Sequence, residues 1–150
     1  MKKRRILIVE DVPMISEFIE LVLSRQGYRI AAIVRSGEEA VAATRTIPFD
    51  LVLMDIRLAG PMDGIETAES IRSMIDIPIV FVSAYTELDV IQRAVATGAS
   101  GYIIKPFKGT DLLFAVDRAF DMPLSGCHAG DDFLVNHPAF ISRTRIQVDR

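Results

Sequence analysis

The sequence predicts an α/β domain, a doubly wound (βα)5 fold whose open, five-stranded parallel sheet carries helices on both faces. Three observations predict it. Short apolar runs alternate with helix-patterned segments five times along the chain. The runs are continuously apolar rather than alternating, as in parallel strands buried on both sides. Right-handed crossovers then leave an open sheet, because a closed eight-fold barrel needs far more chain than 150 residues.

The strands are read at Ile6–Val9, Ile30–Val34 (the weakest), Leu51–Met54, Ile79–Val82 and Tyr102–Ile104. Pro13–Gln26 sets Ile15, Phe18, Ile19, Val22 and Leu23 on one stripe, with Pro13 suited to a first turn and Gly27 to a stop. Ser36 with Glu39 reads as a capping box opening a second helix toward Arg45. Asp63 with Glu66 opens a third, with Ile65, Ala68 and Ile71 inward, and Pro78 favours extended chain after it. Thr86 with Asp89 opens a fourth, ended by Gly98. Thr110 or Asp111 opens a fifth, with Leu112, Leu113, Val116, Ala119 and Phe120 as its apolar face. Residues 1–121 form one domain on this reading. Residues 122–150 form a C-terminal extension with no core of its own, in which Ile141–Val148 suits one short strand.

Composition narrows the function. Half the residues are hydrophobic and the formal charge is −3, so no basic face for nucleic acid is implied. Met1–Arg5 (MKKRR) opens like a signal peptide, but the apolar run after it stops at Glu10, well short of the roughly 7–15 residues an export signal needs. No run approaches the roughly 18 apolar residues of a membrane span. The single Cys127 fits a reducing compartment, and a cytoplasmic location is expected. Cys127, His128 and His137 match no zinc spacing.

The residues at the strand ends carry the chemistry. Glu10 and Asp11 follow the first run, Asp55 the third, Ser83 the fourth and Lys105 the fifth. An open parallel sheet binds ligands outside the carboxyl ends of its strands, where these groups would meet. Three carboxylates in one place repel one another unless a cation compensates. Oxygen ligands without thiolate or imidazole favour Mg2+. One acid is left free to attack a phosphoryl group. Lys105, Ser83 and the cation would then neutralise three phosphoryl oxygens. Singly, each residue has a plainer reading: a helix cap for Glu10-Asp11, Asp55 or Ser83, a surface lysine for Lys105, a core aromatic for Tyr102. The functional reading rests on their joint occurrence.

The stretches ILIVED, LVLMDI with Asp63-Gly64 eight residues after its acid, FVSA and GYIIKPF resemble the receiver domain of two-component response regulators. The resemblance runs from about Arg4 to Phe120. It implies the flavodoxin-like strand order 2-1-3-4-5 of the CheY-like superfamily. It makes Asp55 the phosphoacceptor, and Ser83 and Lys105 the groups that hold the phosphoryl oxygens. Mg2+, with Mn2+ as a substitute, would sit on Glu10, Asp11, Asp55 and the Arg57 backbone carbonyl, Glu10 acting through water. Ser83 and Tyr102 would be the switch pair, and Lys105–Pro106 a cis peptide. Glu10 stands where the family often has Asp, and Ser83 where it often has Thr. Ala84 leaves room for the phosphoryl group, Arg57 and Tyr85 flank it and tune its lifetime, and Ala59–Met62 suggests a long loop over it.

The function expected from that resemblance is a signalling switch rather than a turnover enzyme. A histidine kinase or histidine phosphotransfer protein would donate the phosphoryl group to Asp55. Ser83 would be drawn inward, Tyr102 would turn in, and the face made by the fourth helix, fifth strand and fifth helix would shift. That face would contact an unidentified downstream protein, with Leu88, Val90, Ile91, Val95, Phe107 and Phe114 as candidate contacts, some of them core. A phosphorylation-dependent homodimer stays open, and no direct nucleic-acid or membrane partner is expected. The alternative is a metal-dependent phosphatase working through an aspartyl phosphate. Such enzymes commonly place a second acid two residues after the nucleophile, and Arg57 stands there. A flavin or nucleotide site is opposed by the acidic Glu10-Asp11 after the first strand, and a partner-docking pseudo-receiver by the complete acid and lysine set.

Overall fold

Five parallel strands, β1 (Arg5–Val9), β2 (Arg29–Val34), β3 (Leu51–Met54), β4 (Ile79–Ser83) and β5 (Gly101–Ile104), form one sheet in the order β2-β1-β3-β4-β5. The strands are joined by α1 (Pro13–Arg25), α2 (Gly37–Thr46), α3 (Gly64–Met74) and α4 (Leu88–Ala96), and α5 (Gly109–Asp121) follows β5. The computed structural model describes residues 3–121 and 133–136.

Strand residues alternate between two apolar layers, because successive side chains leave a strand on opposite faces. Ile6, Ile8, Leu51, Leu53, Val80, Val82 and Ile103 face α1 and α5, meeting Ile19, Leu23, Leu112 and Val116. Leu7, Val9, Val52, Met54, Ile79, Phe81 and Tyr102 face the other way, onto Ala40 and Ala43 of α2, Ile65, Ala68 and Ile71 of α3, and Ala94 of α4. β2 lies at one edge, and its residues are all at least partly exposed, which explains why its sequence signal is weakest.

The helix ends follow local chemistry. Gly27, at φ +92°, takes the left-handed conformation after α1. Its N–H donates to Ser24 O and that of Tyr28 to Leu23 O, closing the last turn. Asp63 and Glu66 form a full reciprocal capping box on α3. At α2 the Ser36 hydroxyl accepts from Glu39 N, but the Glu39 carboxylate returns to Arg35 N rather than to Ser36 N. Two starts differ from the sequence expectation. α4 begins at Leu88 after Glu87, with no side-chain cap, so Thr86 lies before it and Asp89 within its first turn. α5 begins at Gly109, ahead of Thr110, and Asp111 instead reaches back to accept from Lys108 N. Of the candidate contact residues, Leu88 and Phe114 are exposed, while Val90, Ile91, Val95 and Phe107 pack against the core.

The edge of β5 is covered. Phe133–Asn136, from the C-terminal extension, lies beside it, with Leu134 bridged in parallel to Tyr102. The strand suggested at Ile141–Val148 falls outside the described residues.

Gly64 is where the fold leaves no room. A Cβ there would lie 1.9 Å from the Asp55 carbonyl oxygen and 2.7 Å from Ile56 Cα, both backbone atoms. Gly64 N also donates to Ile56 O at 2.7 Å, so α3 starts hard against the end of β3. Gly64→Ala should therefore cost about 3 kcal/mol, the upper end of what overpacking a rigid interior costs. Urea denaturation of the variant reads this as a lowered midpoint at unchanged slope.

Candidate functional site

The sheet's hydrogen-bond ladder continues past the strand ends and fixes the residues beyond them. Glu10 N donates to Val34 O (2.9 Å), Asp55 N to Val9 O (2.9 Å) and Lys105 N to Ser83 O (2.9 Å). Glu10, Asp55 and Lys105 are thus held as rigidly as strand residues, at one end of the sheet.

Their side chains converge. Lys105 Nζ lies 2.8 Å from Glu10 Oε1 and 2.9 Å from Asp55 Oδ2. Glu10 is 2% exposed and Asp55 5%. Burial of two carboxylates this deep demands a compensating charge, and the ammonium supplies it. Asp55 Oδ1 accepts from Arg57 N at 3.2 Å, and Glu10 Oε2 from Val12 N at 3.2 Å. Glu10 Oε1 has no well-aligned hydrogen bond, so its contact with Lys105 is a charge pair. Asp11 is half-buried, and one oxygen from each of Glu10, Asp11 and Asp55 lies within 4.8 Å of the others. Three carboxylate oxygens gathered this closely fit a hard divalent cation.

Burial pushes the Glu10 carboxyl up to about 7; the close contact with Lys105 opposes this and Asp55 adds to it. Burial works to lower the Lys105 ammonium, but its close contacts with Glu10 and Asp55 and their charges outweigh that and leave it above its ordinary value.

Ser83 ends β4 fully buried, on the strand next to Asp55, with its hydroxyl oxygen accepting from Tyr85 N at 3.1 Å. Tyr102 is also fully buried, and its hydroxyl donates to Tyr85 O at 2.8 Å. Burial raises that hydroxyl to about 12, against a hydrogen bond from the Ser83 side chain. The ring expected to act as the switch aromatic is thus wholly inside the protein in this structure. The Lys105–Pro106 bond is cis. Arg57 lies in the loop after β3, beside a hollow also lined by Tyr85, Met62, Val90 and Arg93. The residues Ala59–Met62 that suggested a long loop are pinned by a bridge between Ala59 and Ser36.

Residues 6–117 match the family model for the response regulator receiver domain. The chain belongs to the response regulator receiver family. Among curated relatives, the transcriptional regulatory protein PdtaR of Mycobacterium tuberculosis is 37% identical over 116 residues, covering 77% of this chain and 56% of PdtaR. The DNA-binding response regulator MtrA of Mycolicibacterium smegmatis is 35% identical over 114 residues, 76% of this chain and 49% of MtrA. The chain thus spans about half the length of these relatives. Among solved structures, a CheY-like receiver domain protein from Methanospirillum hungatei superposes with a TM-score of 0.74 at 29% identity, over 80% of this chain and 95% of that one. The receiver domain of sensor histidine kinase PA1611 from Pseudomonas aeruginosa, which has a magnesium ion coordinated in its active-site cleft, gives 0.72 at 30% identity, over 81% and 100%. The expected family and strand order are both borne out, and this is a receiver of two-component signalling. Among the described residues no helix is long and apolar enough to cross a membrane.

Reading from the sequence missed the tail's part in this region. Phe133 packs on Tyr102, with ring centroids 6.1 Å apart, and Asn136 bonds Ile104, the residue before Lys105. The signal was a short apolar run, Phe133–Val135, in an otherwise turn-rich stretch.

The raised Glu10 carboxyl has a consequence with a definite sign. Between about 4.5 and 7 the folded receiver binds more protons than the unfolded chain, so Glu10 takes stability away as pH rises through that window. A divalent cation needs the ionised carboxylate and competes with that proton. Without metal, the Glu10 contribution should lower the unfolding midpoint from pH 5 to pH 8, more so than in Glu10→Gln. Apparent Mg2+ affinity, followed calorimetrically, should weaken several-fold between pH 7.5 and pH 6. A flat wild-type profile would contradict both.

Proposed function

We propose that this receiver accepts one phosphoryl group on Asp55 from the phosphohistidine of a histidine kinase or phosphotransfer protein. The observation that carries the reading is the Lys105 ammonium bridging Glu10 and Asp55, with Asp11 alongside, at the carboxyl ends of β1, β3 and β5. An Asp55 carboxylate oxygen attacks phosphorus, the histidine N–P bond breaks, and the imidazole takes up a proton. The chain's part is positioning: Arg57 N and the sheet ladder aim the carboxylate, and the Ser83 carbonyl fixes the lysine backbone.

Glu10, Asp11 and Asp55, with the Arg57 backbone carbonyl, are the residues that would hold Mg2+ or Mn2+. A cation bound there supplies charge neutralisation for the phosphoryl oxygens. The magnesium in the related PA1611 receiver supports this assignment. Lys105 then follows the new negative charge, and Ser83 turns its hydroxyl from Tyr102 toward a phosphoryl oxygen. Tyr102, tied to Ser83 through Tyr85, transmits that move to the face of α4, β5 and α5. A protein bound at that face is the output, and the phosphoryl group leaves by hydrolysis at the same site. On this reading the receiver is a stoichiometric switch in the cytoplasm, not a turnover enzyme. The phosphatase alternative is disfavoured by Arg57, which offers no proton to a leaving group.

Acetyl phosphate with Mg2+ should label the protein once, through a bond cleaved by hydroxylamine, and intact-mass measurement should add one PO3 unit. Asp55→Asn should abolish the label; undiminished labelling of that variant refutes the assignment. Sustained turnover of small phosphoesters would instead point to the phosphatase. Lys105→Ala should retain Mg2+ binding while losing the response of α4 and β5 amide resonances to beryllofluoride.

A further inference from the structure

β5 is the last strand of the sheet, and its outward backbone groups would be open to any extended chain. Here four of them are taken by three residues of the tail segment Phe133–Asn136. Tyr102 N donates to Phe133 O at 2.8 Å, and Val135 N to Tyr102 O at 3.0 Å. One residue on, a side chain replaces the backbone: Ile104 N donates to Asn136 Oδ1 at 2.8 Å, and Asn136 Nδ2 donates to Ile104 O at 2.9 Å. The primary amide offers one donor and one acceptor, as a peptide unit does, so it prolongs the ladder where the strand itself ends. Phe133 is 2% exposed and joins the layer that holds Phe81 and Tyr102. Leu134 is buried in the same layer, and Val135 packs on the opposite one. Main-chain pairing supplies attachment and the side chains supply selectivity, the mode of an added β-strand.

We propose that the outer edge of β5 is a docking site for one extended peptide strand, filled in cis by Phe133–Asn136, and that filling it holds Tyr102 inward and is thereby linked to the acceptor site. The second half rests on the phosphoacceptor reading above. The link is a continuous set of contacts. Phe133 packs on the Tyr102 ring, the Tyr102 hydroxyl donates to Tyr85 O, and Tyr85 N donates to Ser83 Oγ. On the other side Asn136 clamps Ile104, whose neighbour Lys105 reaches Glu10 and Asp55. A strand that stabilises this arrangement raises the affinity for any group at Asp55 that prefers it, and the effect is reciprocal. The pattern the edge selects is aromatic, aliphatic, aliphatic, asparagine. A second protein offering that pattern at β5 has to displace a strand whose tether gives it an effective concentration on the order of millimolar.

The test uses the full chain. Amide exchange, read without metal or phosphoryl donor, should show Tyr102 and Ile104 protected in wild type. Both should exchange at least tenfold faster in Phe133→Ala/Asn136→Ala. Ser100, which donates to Ile79 O inside the sheet, should be unchanged and report an intact fold. A synthetic peptide of residues 131–138 added to the double variant should restore protection, and the same peptide with Asn136→Ala should not. Equal protection of Tyr102 and Ile104 in wild type and the double variant overturns the docking site. Beryllofluoride with Mg2+ should bind the double variant at least threefold more weakly than wild type and regain affinity with the peptide; equal affinities overturn the linkage. If wild type and Asp55→Asn respond identically to beryllofluoride, the phosphoacceptor reading fails, and the exchange experiment still decides the docking site.

Discussion

Everything at the functional end of this receiver depends on how two buried carboxylates are tolerated side by side. Glu10 and Asp55 are both almost wholly removed from solvent, and each is anchored by a backbone bond that extends the sheet by one residue. They cannot move apart without tearing the ladder. One cation, the Lys105 ammonium, sits between them within hydrogen-bond distance of both. At Glu10, burial and the neighbouring Asp55 push toward protonation, and the lysine pushes toward ionisation. The outcome at Glu10 is a carboxyl displaced to about 7, a group that either a proton or a metal can satisfy.

The surrounding fold serves that balance. Gly64 lets α3 press against the carbonyl of Asp55, so the loop from β3 has little freedom. The capping box of Asp63 and Glu66 secures the same turn from the helix side. Ser83 and Tyr102 lie behind the pocket, joined through the backbone of Tyr85. Tyr102 is fully buried, and its hydroxyl is held by the Tyr85 carbonyl.

Most of this was legible in the chain, for identifiable reasons. Strands buried on both faces leave unbroken apolar runs, and β1, β3, β4 and β5 match those runs closely, while the edge strand β2 left a fainter one. Charged and hydroxyl residues immediately after such runs can have only one location in an open parallel sheet, which is why Glu10, Asp11, Asp55 and Lys105 could be grouped before any coordinates. The starts of α4 and α5 were less legible, because Thr86 and Thr110 are good caps by type but the backbone turns elsewhere. The tail was misjudged for a different reason. Its docked strand is four residues long, and two of its four ladder bonds come from an asparagine side chain, which leaves no periodicity to detect.

The covered margin at β5 also determines how copies of this sheet can meet. Among the described residues, β2 is the remaining free margin, and it carries Arg29 and a register irregularity between Ile6 and Leu7 of its neighbour. A sheet with two bare margins can extend indefinitely, copy upon copy. A sheet with one can be joined only once, margin to margin about a two-fold axis, after which nothing is left to recruit a third copy. With Phe133–Asn136 lying along β5, the described residues leave one margin of the sheet open to pairing rather than two.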